Sequence, residues 1–137
     1  MRKSSLFLTG LLIFVASYFY DGSAAQGADD RTIKAVPDYP LHRVTDKIYA
    51  LYGPFDLPDN KNRGFRNTAV IVLTSRGVVV FDPGGSAYAG ERVVEKIKTI
   101  SKNPIVAIFN SHAHGDHWLG NEGVKRTYPQ AVIYGHP

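Results

Sequence analysis

Residues 105–109, IVAIF, are apolar throughout, and the segment that follows, NSHAHGDHWLGN, holds three of the chain's five histidines and an aspartate. A short, wholly apolar run is the pattern of a central strand covered on both faces. A polar cluster at its carboxyl end is the pattern of an open α/β sheet, in which ligands bind outside the strand ends. This pairing of strand and cluster limits the fold more tightly than any compositional figure.

The flanking segments agree with it. LHRV at 41–44 reads as a first strand, and KIYALYG (47–53) alternates as a half-buried strand does. PFDLPDNKNRGF (54–65) is a loop. TAVIVLT (68–74) and VVVFD (78–82) are β-branched runs joined by SRG, a hairpin signal. DPGG (82–85) stops the second run. Val93, Ile97 and Ile100, widened by Val94, form one helical stripe opposite Glu91, Arg92, Glu95 and Lys96. SKNP (101–104) ends that helix. After the histidine cluster a shorter helix is predicted from Asn121, as N-cap, to about Tyr128, followed by the strand AVIY (131–134). The later order is β-α-β-α-β, which implies parallel strands with right-handed crossovers.

The chain has 137 residues, 44% of them hydrophobic, enough for one packed domain. Its start reads otherwise. Arg2 and Lys3 precede the apolar stretch 6–20, and Ser23 and Ala25 suit a small-residue cleavage site after Ala25. Residues 1–25 are thus expected to be a signal peptide, residues 26–40 a polar linker, and 41–137 the domain. The rival is an uncleaved N-terminal anchor, for which Tyr18, Phe19 and Tyr20 speak. On the first reading the protein is exported, periplasmic or extracellular, without stable membrane association after cleavage. Loss of Arg2, Lys3 and Asp21 takes the formal charge from +4 to +3. The remaining basic residues are scattered, which argues for a solvated surface and against a nucleic-acid partner. There is no cysteine, so any metal is held by nitrogen and oxygen.

His112, His114, Asp116 and His117 are the candidate ligands. In an extended segment the first three point one way and His117 the other, so the loop must turn. Gly115 sits where backbone angles closed to other residues would allow it. Two imidazoles, a carboxylate and a third imidazole suit two adjacent ions better than one, because a single tetrahedral ion holding all four has no open position. Ions that are short of ligands can activate a bridging water, giving hydroxide at neutral pH, and can polarise a carbonyl or phosphoryl group. Asp116 is then ligand and candidate proton acceptor, the expected catalytic residue.

H-A-H-G-D-H (112–117) resembles the H-x-H-x-D-H signature of the metallo-β-lactamase superfamily. VVVFDPGGS (78–86) looks like the element that precedes the signature there, and GN (120–121) and YPQAVIYGHP (128–137) also fit. Together with NRGFRNTAVIV, these segments are most similar to exported metallohydrolases of quinoprotein relay systems. The resemblance implies an α/β fold, the N-terminal half of an αβ/βα sandwich, with a mixed sheet and flanking helices. It implies two zinc ions, with iron or manganese as alternatives, His112 and His114 serving the first and Asp116 and His117 the second. It implies a small-molecule ester, thioester or lactam substrate. Asp82 is implied to lie beneath the ligands, the other reading being an ordinary turn carboxylate before Pro83. Trp118 is a candidate pocket wall, or simple packing.

The family completes its site with two histidines and an aspartate from the second half of the fold, which are not found in the 20 residues after His117. His42 reads as a surface residue. His136 lies at a strand end on the same sheet edge, where the family has no ligand. The expectation is therefore an incomplete, inactive N-terminal fragment of a metallohydrolase with one sheet face uncovered. The alternative is a non-catalytic metal-binding or interaction module that forms a homodimer through that face.

Overall fold

The computed structural model describes residues 36–136. The signal-peptide reading of 1–25, and the part of the linker before residue 36, lie outside the described residues.

Six strands form one mixed sheet in sequence order: β1 (Leu41–Arg43), β2 (Ile48–Tyr52), β3 (Thr68–Thr74), β4 (Gly77–Phe81), β5 (Ile105–Phe109) and β6 (Val132–Tyr134). β1 to β4 are antiparallel, and β4, β5 and β6 are parallel. The two-residue turn Ser75–Arg76 fixes the β3–β4 register, and Thr74 Oγ1 closes it by donating to the Gly77 carbonyl at 2.7 Å.

α1 (Ala87–Ile100) connects β4 to β5. Ser86 caps it from extended backbone, its hydroxyl accepting from the Ala89 amide at 3.1 Å, which satisfies one otherwise orphaned N–H. Its buried side, Ala89, Gly90, Val93, Val94 and Ile97, lies on Ile71, Val78, Val80 and Ile108 of the sheet. A one-turn α2 (Gly115–Trp118) and then α3 (Asn121–Thr127) connect β5 to β6. Val124 of α3 joins the same core. Gly120 precedes α3, and Asn121 is its first helical residue and makes no cap bond. The expected N-cap is thus displaced by one residue, because α2 runs almost directly into α3.

Residues 36–40 are not an independent linker. Val36 is buried, its carbonyl accepts from Arg92 Nε at 3.0 Å, and Tyr39 stacks on Phe65. Asp38 adds an ion pair to Lys96 of α1 at 2.6 Å, so apolar burial and charge together hold the segment to the helix.

Side chains alternate along the strands, and the helices cover only one face. On the other, the register aligns Val72 with Val79 and Val79 with Ala107, and Ala107 with Val132. Phe81, Phe109 and Tyr134 follow as an exposed stack, with ring centroids 5.1 and 4.7 Å apart. β5 is therefore covered on one side by the described residues, not on both as its apolar run suggests.

α1 and α3 cross with almost no gap. A Cβ built on Gly90 falls 1.9 Å from the Gly120 carbonyl oxygen, and one on Gly123 falls 1.9 Å from that of Ala87. Both obstacles are backbone, so neither can rotate away. Gly90→Ala is expected to cost about 1–3 kcal/mol by overpacking, read as a lower midpoint in urea unfolding. An unchanged midpoint would show that the helices separate freely.

Candidate metal centre

The site begins where β4 ends. Asp82 takes φ +50°, a left-handed conformation that aspartate tolerates better than most residues. Its amide remains bonded to the Phe109 carbonyl at 3.0 Å, so the chain leaves the sheet without losing β5. Asn67 Nδ2 donates to the Asp82 carbonyl at 2.6 Å. The Asp82 side chain thereby turns under the loop that follows β5.

Three donors converge on that carboxylate. The Ser111 amide reaches Oδ1 at 2.7 Å, the Ser111 hydroxyl reaches Oδ2 at 2.6 Å, and His117 Nδ1 lies 2.9 Å from Oδ2. Burial opposes ionisation, but these bonds outweigh it and hold the Asp82 carboxyl below its ordinary value. The Ser111 hydroxyl has spent its proton on Asp82, so its oxygen accepts at the 2.8 Å contact with His112 Nδ1. One aspartate thus assigns two tautomers: Nδ1–H on His117 directly, and Nδ1–H on His112 through Ser111. Both leave Nε2 with a lone pair directed away from the scaffold, the arrangement in which a histidine serves as a metal ligand.

The candidate ligand nitrogens are close together, and with His112 Nε2 accepting, the metal-free His114 ring carries its proton on Nδ1, which a metal ion would displace. His112 Nε2 and His114 Nδ1 are 3.1 Å apart, and the His112 and His117 ring centroids are 4.0 Å apart. A tetrahedral ion with bonds of about 2.0–2.1 Å to nitrogen holds two ligand nitrogens about 3.3 Å apart. His112 and His114 fit that spacing. Asp116 Oδ2 and His117 Nε2, at 3.7 Å, need a few tenths of an ångström of closure. Among the described residues no three histidine, aspartate or glutamate side chains converge on one metal position. Two of the closest donor contacts are His112 Nε2 with His114 Nδ1 and Asp116 Oδ2 with His117 Nε2.

The turn that allows this differs from the expected one. Gly115 does not adopt positive φ. It opens α2, and a single helical turn, with the His117 amide bonded to the His114 carbonyl at 3.0 Å, swings Asp116 and His117 toward the preceding histidines.

Trp118 and His136 stand at the rim. Trp118 Nε1 donates to the Ala113 carbonyl at 3.0 Å, and its ring lines a cavity of about 400 Å³ with Asn110, Ser111, His112, Ala113, Gly135 and His136. His42 lies away from the site on β1, its ring 5.0 Å from that of Tyr52. Sequence reasoning gave no role to Ser111, Asn67 or Arg66. The hydroxyl directly before the first histidine was the available signal for Ser111. Asn67 and Arg66 carry no signal of their own, because their partners are distant in sequence.

Asp82→Asn keeps the shape and the tolerance of positive φ but removes the charge. A lowered folded-state pKa gives stability that is complete above the unfolded value of 3.8 and is lost as pH falls through the folded value. The metal-free variant should be less stable than the parent by about 1.5–3 kcal/mol at pH 7. The gap should narrow below pH 3.8, as measured by urea unfolding across pH. A gap that is constant with pH would contradict a charged Asp82 at the hub.

Comparison with known proteins agrees with this geometry. The profile of the metallo-beta-lactamase superfamily matches residues 62–137. A hydroxyacylglutathione hydrolase of Cyanothece sp. is 38% identical over 60 residues, which are 44% of this chain and 22% of that protein. Metallo-beta-lactamase IND-1 of Chryseobacterium indologenes is 26% identical over 136 residues, 96% of this chain and 50% of that one. The chain thus spans half or less of the length of these relatives. Among solved structures, a metallo-beta-lactamase from Pontibacter korlensis superposes with a TM-score of 0.58 at 22% identity, covering 71% of this chain and 43% of its own. The FIM-1 enzyme of Pseudomonas aeruginosa, in its mono-zinc form, gives 0.56 at 18% identity, with 74% and 43% covered. These two likenesses concern the fold. With its sheet, its H-A-H-G-D-H turn and a profile match over more than half its length, the chain belongs to the metallo-beta-lactamase superfamily.

Proposed function

We propose that residues 112–117 carry four of the ligands of a two-zinc centre that hydrolyses an ester, thioester or lactam bond in a small molecule. The observation that carries this reading is the pair of donor pairs, His112 Nε2 with His114 Nδ1 at 3.1 Å and Asp116 Oδ2 beside His117 Nε2 at 3.7 Å. When bound, the ions supply an acidified water and polarise the scissile group. Iron or manganese at the same donors would be a variant of the reading.

The chain's own residues have separable tasks. Asp82 and Ser111 orient the His117 and His112 imidazoles and place the proton of each neutral ring on Nδ1, so that Nε2 faces the metal position. Asp116 accepts a proton at its carboxylate during attack and passes it to the leaving group. Trp118 forms an apolar wall beside His112 and excludes water from one side of the substrate. Completion of the coordination comes from residues outside 36–136. The exported quinoprotein-relay type of metallohydrolase is our finer assignment, resting on NRGFRN, FDPGGS and the apolar N-terminal segment.

A second reading, a non-catalytic metal-binding module that dimerises, draws on the exposed Phe81–Phe109–Tyr134 stack. Dependence of activity on Asp116 separates the two. The chain by itself should bind zinc weakly, because two ligands per ion make no preformed cage, and should hydrolyse no substrate faster than free zinc. In the length of protein that completes the coordination, Asp116→Ala should lower kcat/KM by about 10²–10⁴-fold, the usual contribution of a positioned proton acceptor. A panel of one ester, one thioester and one β-lactam checks both statements, and the mass of the exported protein should begin at Gln26. Two tightly held zinc ions per chain, or full activity without Asp116, would contradict the reading.

A further inference from the structure

Arg66 lies at the edge of this centre, on the segment that returns from the 53–65 loop into β3. Its Nε is 3.7 Å from Asp116 Oδ2, the same oxygen that is 3.7 Å from His117 Nε2. One carboxylate oxygen therefore stands between a guanidinium and an imidazole. The Arg66 Nε atom is buried and has no hydrogen-bond partner. A buried N–H without an acceptor is unfavourable, and a small shift toward Asp116 would satisfy it.

Both ends of the pair are held by backbone. Phe65 and Asn67, on either side of Arg66, are buried, and Asn67 is bonded to the Asp82 carbonyl. The Gly85 amide donates to the Gly64 carbonyl at 3.0 Å, and a Cβ on Gly85 would fall 3.0 Å from the Asp116 Cα. The 62–67 segment, the turn after β4 and the start of α2 thus meet at one place. Little further order is needed for Arg66 to reach Asp116. Asp116 lacks the buried scaffold that Asp82 gives the histidines, since it sits on a single helical turn.

We propose that Arg66 is a positioning residue for Asp116, holding its carboxylate where it meets His117 Nε2 to receive a metal ion. The inference rests on the metal-centre reading above. It opposes a simple charge argument, in which a guanidinium beside a cation site repels the ion. The two predict opposite signs.

The experiment uses the full chain. Zinc affinity is measured by competition with a chromophoric chelator for the parent, Arg66→Ala, Arg66→Lys and Asp116→Asn, and for Arg66→Ala combined with Asp116→Asn. Arg66→Ala should weaken binding by about 10–100-fold, the usual effect of removing a residue that orients a ligand, and Arg66→Lys should recover most of the loss. In the Asp116→Asn background the Arg66→Ala loss should disappear, whereas a general structural role would persist there. Crystal structures of the metal-free parent and Arg66→Ala give the second readout: Asp116 should leave its place beside His117 when Arg66 is removed. Unchanged or tighter binding by Arg66→Ala, a loss that persists without the Asp116 carboxylate, or an Asp116 that stays in place would overturn the proposal. A parent chain that binds no zinc would count against the metal-centre reading instead, and the two crystal structures would still decide the role of Arg66.

Discussion

The Asp82 carboxylate is the interaction on which the centre depends. It is a nearly buried charge on a residue of positive φ, two features that are each unfavourable alone. They persist because the carboxylate receives the Ser111 amide, the Ser111 hydroxyl and His117 Nδ1. The same bonds decide which nitrogens of two histidines remain free. Stability and ligand orientation are thus one set of contacts, and a change at Asp82 alters both together.

Around that point the fold supplies rigidity by backbone contact more than by side-chain bulk. The Gly90–Gly120 and Gly123–Ala87 approaches bring α3 against α1, and α3 fixes the far end of the His-rich turn. The Gly64–Gly85 contact ties the long β2–β3 loop to the turn after β4. In both places a methyl group would collide with backbone. The helix-covered face of the sheet is well packed, whereas the opposite face presents Phe81, Phe109 and Tyr134 to solvent.

The strands and α1 were legible because their apolar periodicity is strong, and β3 and β5 match the apolar runs 68–74 and 105–109. The candidate ligands were legible because four of them fall within six residues. What escaped depends on distance in sequence or on competition between neighbours. Arg66 meets Asp116 across 50 positions. Val36 lies in a mostly polar stretch, and its burial needs α1 to be in place. Asn121 has an N-cap's chemistry, yet α2 occupies the space before it and leaves its Oδ1 buried without a partner. Gly115 suggested a left-handed turn, but four residues are enough for a helical one, which costs less.

The central claim is that Asp82 sets the tautomers of His117 and His112 so that each presents Nε2. Long-range ¹⁵N–¹H correlation spectra of the metal-free chain, recorded above the imidazole titration range, report the protonated nitrogen of each ring. The account predicts the proton on Nδ1 of both His117 and His112, with His112 reverting to a mixture of tautomers in Ser111→Ala. A proton on Nε2 of His117 would contradict it, since the nitrogen meant for the metal would then be occupied.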